Sequence, residues 1–187
     1  WGSESEETLH LTLPPELSDQ PSLYLENARI SQFGSHGLNR YTMSSKAINQ
    51  HAATGHSTLV QPSLTFHQPG ESPWYIYSEL GEIKRHLSAQ NAPPGDAIGP
   101  GTSIHFTGQV RLSRGRNNQT LMELQGESLT IFPELKRVES NEPVIIETSS
   151  SNARAASFEC DLEHNFLQLR SSTDQRVHLV ILPKTRI

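Results

Sequence analysis

Apolar or small residues alternate with polar ones along Ile104-His105-Phe106-Thr107-Gly108-Gln109-Val110-Arg111-Leu112. This is the period of a β-strand with one covered face and one wet face. The following Arg114-Gly115-Arg116-Asn117-Asn118 suits a reversing loop, because Gly and Asn tolerate positive φ. Gln119 to Phe132 then reads as a long returning strand, with Gly126 marking a bulge or bend and Pro133 ending it. Two strands of this length are not stable as an isolated hairpin, so the rest of the chain should extend the sheet.

The same alternation recurs on both sides of this hairpin. Leu23 to Phe33 carries Leu23 and Leu25 on one face and Ala28 and Ile30 on the other, a change of phase that predicts a bulge near Asn27. Leu38 to Ile48 returns with Tyr41 and Met43 on one face. Thr58 to His67 alternates at Val60, Pro62, Leu64 and Phe66, and Pro62 predicts an edge or a bulge there. Beyond Gln68-Pro69-Gly70, residues Trp74, Ile76 and Ser78 face one way and Tyr75, Tyr77 and Glu79 the other. Glu79 to Leu87 has the nearest thing to helical spacing, and it is short and weak. Residues 90–102 hold three prolines and three glycines and predict a long exposed loop. Val144 to Thr148 is a short strand, 149–152 a turn, and Phe158, Cys160 and Leu162 alternate again. Phe166 to Arg170 and Val177 to Leu182 close the chain. Many strands, many turns and no crossover helix predict an all-β antiparallel domain over residues 22–187, preceded by a flexible arm over 1–21.

Charge and candidate chemistry narrow the function. The net charge is −5 and no basic block occurs, which removes the electrostatic basis for nucleic-acid binding. No apolar run reaches the length of a membrane span. Cys160 is the only cysteine, so an intrachain disulfide and a Cys-based zinc site are excluded. Its place in the alternation predicts a buried, inert thiol. The nine histidines fall at no metal-binding spacing and read as solvated polar positions. No nucleotide or nucleophile-elbow motif is present. Glu123 and Glu127 read as the wet face of a strand, and Arg111, Arg114 and Arg116 as a solvated turn. These features mark no active site and no cofactor, and leave open a packed structural module, a carbohydrate-binding β-sandwich or, as the minority reading, an enzyme whose Ser, His and Asp are distant in sequence.

Several segments, in order, resemble the LptC family, the periplasmic bridge component of lipopolysaccharide export. They are Tyr24-Leu25-Glu26-Asn27-Ala28-Arg29 with Phe33, Gly37-Leu38-Asn39-Arg40-Tyr41-Thr42-Met43 through Ile48 and His51, and Pro62-Ser63-Leu64. Pro73-Trp74 with Ser78-Glu79, Phe106-Thr107-Gly108-Gln109-Val110, Leu129-Thr130-Ile131-Phe132-Pro133 and Glu142-Pro143-Val144 follow. The loop at 91–102 is longer than the family pattern, and Asn152-Ala153-Arg154-Ala155-Ala156-Ser157 replaces a usually glycine-rich segment. The resemblance implies an open β-jellyroll whose apolar interior holds acyl chains, without catalysis or cofactor. It implies that Tyr41, Met43, Leu64, Phe66, Trp74, Ile76, Phe106, Val110, Leu129, Ile131, Phe158 and Leu167 line or approach that interior. It implies partners as well: lipopolysaccharide, an inner-membrane ABC transporter complex at an N-terminal edge (Leu23, Leu25, Ala28, Ile30), and an LptA-like periplasmic protein at a C-terminal edge (Val177, Leu179, Ile181). Membrane attachment would come only through a preceding helix that this sequence does not contain, with Trp1 at the interface; a homodimer stays open.

Because closure entropy changes slowly with loop length, replacing residues 92–101 by a short Gly/Ser linker should shift the melting temperature only slightly. Calorimetry would contradict this reading by a loss of several kcal/mol.

Overall fold

The structure, a computed structural model, describes residues 23–34, 36–51, 56–85, 101–116 and 119–182. The N-terminal arm over 1–21 and most of the Pro/Gly-rich loop lie outside them. No helix among the described residues is long and apolar enough to cross a membrane. The strands are β1 (Leu23–Phe33), β2 (Asn39–His51), β3 (His56–Val60), β4 (Ser63–Phe66), β5 (Trp74–Tyr77), β6 (Leu80–Arg85) and β7 (Thr102–Arg116). They continue as β8 (Gln119–Phe132), β9 (Arg137–Ser140), β10 (Val144–Thr148), β11 (Ser151–Ala155), β12 (Ser157–Asp161), β13 (Phe166–Arg170) and β14 (His178–Ile181).

All the pairings are antiparallel, and they follow a simple rule. Four long strands, β1, β2, β7 and β8, each bend in the middle. Five pairs of short strands, β3/β4, β5/β6, β9/β10, β11/β12 and β13/β14, each follow the same course with a break where the long strands bend. The result is a meander of nine rungs folded along one crease into two layers. One layer holds β4, β5, β10, β11 and β14, with the adjoining halves of the long strands. The other holds β3, β6, β9, β12 and β13, with the remaining halves. This is an open β-jellyroll, as the resemblance implies, built from the antiparallel strands that the alternation predicts.

The crease is written residue by residue. Asn27 (φ 51°) bends β1, Gln61 (φ 48°) with Pro62 separates β3 from β4, and Gly108 (φ 77°) with Gln109 (φ 48°) bends β7. Backbone groups left unpaired at these breaks find partners along the crease, as buried polar groups must. Gln61 N–H donates to Glu79 O at 2.7 Å, Ser78 N–H to Pro62 O at 3.2 Å, and Glu79 N–H to Gly108 O at 3.0 Å. Two buried hydroxyls complete the set: Ser45 Oγ donates to Val60 O at 2.8 Å, and Ser78 Oγ to Leu80 O at 2.6 Å.

Several sequence expectations change at this crease. The phase change at Asn27 does not place two sets of side chains on opposite faces; Leu25, Ala28 and Ile30 all pack against the core, because the bend turns the second half inward. Thr58 to His67 is two strands in two layers, and the break moves the phase so that Leu59, rather than Val60, is buried. The bulge of the central hairpin is not centred on Gly126; Gly108 and Gln109 together face Glu127 alone. Glu79 to Leu87 contains β6, whose inward positions are Gly81 and Ile83; a Cβ on Gly81 would lie 3.0 Å from Pro62 and 3.1 Å from Leu59, so a side chain there would press both neighbours aside. Residues 151–155, in part assigned to a turn, form β11.

A side chain at Gly108 meets positive φ first, and then the Glu79 side chain, whose Cβ would lie 3.1 Å from the added Cβ and whose carboxylate would have to swing aside. Gly108→Val should cost about 2–4 kcal/mol in denaturant unfolding. A loss below about 0.5 kcal/mol, within the range of an ordinary surface change, would show that the crease does not depend on this position.

Candidate functional site

Side chains of both layers meet in one apolar cluster. Eleven of the twelve interior candidates lie in it: Tyr41, Met43, Leu64, Phe66, Trp74, Ile76, Phe106, Val110, Leu129, Ile131 and Phe158, none more than 3% exposed. Leu167 is half-buried at its margin. The cluster also takes in Ile48, Leu59, Ile83, Ile104, Leu112, Leu124, Val138, Val144, Ile146 and Leu162, which were not among the interior candidates although Ile104, Leu112 and Leu162 stand in the alternating runs. Their signal was the same alternation, open to view at Ile104, Leu112 and Leu162 and shifted in phase by the crease at Leu59. Cys160 is buried beside them, and burial, assisted by the Asp161 carboxylate, pushes its thiol up to about 12.

The layers part on the side away from the crease, and a polar latch spans that mouth. Gln68 Nε2, on the loop between β4 and β5, donates to Leu162 O in the other layer at 2.6 Å. Arg114 on β7 reaches Glu71 Oε2 at 2.6 Å and Asn165 Oδ1, while Asn165 Nδ2 donates to Glu71 Oε2 at 3.1 Å. The guanidinium also stands 5.2 Å from the Trp74 ring centroid, a cation–π contact. Arg114 therefore joins the layers and is not the solvated turn residue its position beside the loop suggested. The hydrogen bond from Asn165, joined by the hydrogen bond and the charge of Arg114, holds the Glu71 carboxyl below its ordinary range against the opposing effect of desolvation.

The two ends of the meander differ from its middle. At one end β1 pairs only with β2, and Leu25, Ala28 and Ile30 look inward but are only partly covered. Leu23 is 45% exposed, too far out to reach the core. At the other end β13 and β14 are the last rungs of their layers. Leu167 and Leu169 face inward opposite buried Cys160 and Phe158. Leu179 pairs with buried Ala153 and Ile181 with Ser151, which puts both on the inward face although they are 58% and 76% exposed. Val177 precedes β14 and is exposed. Both ends thus present an apolar opening between the layers, flanked by strand edges without a neighbour among the described residues. No group of His, Cys, Asp and Glu among those residues could hold a metal ion.

The profile of a family described as lipopolysaccharide-assembly, LptC-related, matches residues 1–88 and 95–177, nearly the whole chain. The chain belongs to the LptC family. The interruption of the match falls in the Pro/Gly-rich loop, and β14 lies just beyond its end. The fold is also similar to that of LptH from Pseudomonas aeruginosa, the LptA-homologous periplasmic component of its lipopolysaccharide transport device. That likeness has a TM-score of 0.55 at 10% identity, over 76% of this chain and 95% of LptH. No curated protein sequence matches the chain. As an LptC-family protein it is a periplasmic bridge of lipopolysaccharide transport, in a family of assembly proteins.

The latch gives a pH dependence with a definite sign. Because the folded Glu71 pKa is depressed, the stabilisation it provides is present above the ordinary carboxylate range and is lost as pH falls through the folded value. Hydrogen-exchange protection at the β12–β13 turn, taken relative to the intrinsic exchange rate at each pH, should therefore stay constant from neutral pH to mild acidity and fall below it, while Glu71→Gln should be less protected already at neutral pH. A flat profile for both proteins would remove Glu71 from the latch.

Proposed function

We propose that the LptC-family jellyroll carries the acyl chains of lipopolysaccharide between its two layers, along the crease, from the β1 end to the β13/β14 end. The supporting observation is the pair of apolar openings at the ends of a single continuous core. Each buried acyl CH₂ gains about 0.8 kcal/mol, so a few carbons at an opening already favour entry. The core side chains are closely packed without cargo, so admission requires the layers to part. The latch at Gln68, Glu71, Arg114, Asn165 and Leu162 is the polar contact that would yield, since its groups can exchange protein partners for water at little net cost.

In this reading the β1 edge, with Leu23, Leu25, Ala28 and Ile30, meets the inner-membrane ABC transporter complex. The β14 edge, with Leu179 and Ile181, receives a strand of an LptA-like periplasmic protein, and the protein is anchored to the inner membrane through a segment before Trp1. Strand addition suits the geometry of β14. Leu182 N–H donates to Ser150 O at 2.8 Å, so alternation gives His178 and Val180 the inward hydrogen bonds to β11. The N–H and C=O groups of Leu179 and Ile181 then point away from β11, toward an incoming strand.

This alternation supplies a test. Leu179→Pro removes an outward N–H and obstructs an added strand, whereas Val180→Pro removes an inward one. Leu179→Pro should keep its melting temperature within a few degrees and lose capture of the LptA-like partner. Capture unchanged from the native protein would contradict docking at this edge.

A further inference from the structure

One polar atom inside the core has no partner. Trp74 is 3% exposed and belongs to the apolar cluster, and its Nε1–H finds no acceptor. Among the described residues, no other member of that cluster carries a buried side-chain nitrogen or oxygen left without a partner. A buried indole N–H usually has an acceptor, because leaving it without one forfeits the hydrogen bonds that water would have made. The exception calls for a reason.

Its place in the fold narrows that reason. Trp74 is the first residue of β5 and pairs with Phe66, the last of β4, and with Arg114 of β7. Tyr41 pairs with Phe66 in turn, so Tyr41, Phe66, Trp74 and Arg114 form the inward row nearest the mouth, beneath the latch. The other polar groups of this row are engaged. Tyr41 Oη donates to Gln32 Oε1, and Arg114 bonds Glu71 and Asn165. The guanidinium also covers the indole face at 5.2 Å, but it has donors only and cannot accept from Nε1–H. Gln68 Oε1, a buried acceptor of the latch that is equally without a partner, makes no bond to it either. The closed mouth thus holds an unmet donor at the level where the apolar interior gives way to polar groups.

The chemistry that can use such a donor is narrow. The surroundings are apolar, so an ion or a sugar would lose its water for a single hydrogen bond. A plain hydrocarbon suits the surroundings but leaves the N–H unmet. A hydrocarbon chain that ends in an ester or amide satisfies both, since its carbonyl oxygen is the first acceptor between the chain and its head. We propose that Trp74 is a positioning residue: its Nε1–H donates to the carbonyl that joins an acyl chain to its head, and so sets the depth to which the chain enters between the layers. The inference rests on the reading of the interior as an acyl-chain carrier, and adds to it a fixed station part-way along the meander. Because Arg114 lies on the same indole, release of the latch and arrival of the carbonyl act on one residue.

The test uses the whole chain with Trp1→Phe, which leaves Trp74 as the single indole. A second protein carries benzothienylalanine, the same shape without the N–H, in place of Trp74. The probes are two surfactants below their micellar concentrations: sucrose monododecanoate, an ester, and dodecyl maltoside, an ether of the same chain length. The preference for ester over ether should be about tenfold greater in the protein that keeps the indole, the factor expected when a buried donor gains its acceptor. Comparing the two proteins cancels the difference between the surfactants themselves. The indole N–H resonance should move downfield with the ester and not with the ether. The benzothienylalanine protein should melt no lower than its parent, since no donor is left unmet. Equal preference in both proteins, or an indole resonance that answers both surfactants alike, would overturn the proposal. A lower melting temperature would overturn it too, by showing that Nε1–H already has a partner. These failures leave the carrier reading standing as long as the surfactants bind. If neither protein binds either surfactant, the carrier reading falls and the proposal with it.

Discussion

The line of hydrogen bonds along the crease is the constraint on which the rest of the structure depends. A flat meander of nine rungs would expose both faces of its sheet and bury nothing. Folding it once brings the alternating apolar positions of every rung into a shared core, and it does so only if the backbone groups at each fold are satisfied. Gln61, Ser78, Glu79 and Gly108 meet that condition by bonding across neighbouring rungs, and the Ser45 and Ser78 hydroxyls supply what the backbone lacks. Positive φ at Asn27, Gln61, Gly108 and Gln109 is the local form that the fold takes in three of the rungs, β1, β3/β4 and β7.

Much of this was legible in the sequence. Alternation is a local property, so the long strands, the central hairpin and most of the inward side chains could be read from residue spacing. The interior positions from Tyr41 to Phe158 were found because Tyr, Met, Phe and Trp contrast strongly with the Thr and Ser beside them. The two layers were less legible, because each bend shifts the phase, and a shifted phase looks like two faces of one strand. Leu23 and Leu25 against Ala28 and Ile30 is the plainest instance. Strand β6 was hidden for a different reason: its inward residue Gly81 has no side chain to register as apolar. Arg114 shows a third limit, since its partners Glu71 and Asn165 are remote in sequence and only the fold brings them together.

The same folding rule connects structure to transport. A meander has two ends, and a folded meander has two open ends to its core. The inward faces of β1 at one end, and of β13 and β14 at the other, remain partly uncovered because no further rung follows among the described residues. An apolar surface flanked by free strand edges is what a related jellyroll could extend, rung upon rung, so that a core in one protein continues into the core of the next. Energetically this asks little of the bridge itself, which needs only a similar apolar environment at each step.

The central claim is that acyl chains travel between the layers rather than over their outer faces. Photo-crosslinking side chains placed singly at Phe66, Phe106 and Ile131, which point into the core, and at Thr65, His105 and Thr130, which are their outward neighbours, compares the two routes directly. Supplied with lipopolysaccharide under transport conditions, the inward set should capture lipid and the outward set should not. Equal capture by both sets, or capture by the outward set alone, would contradict the account.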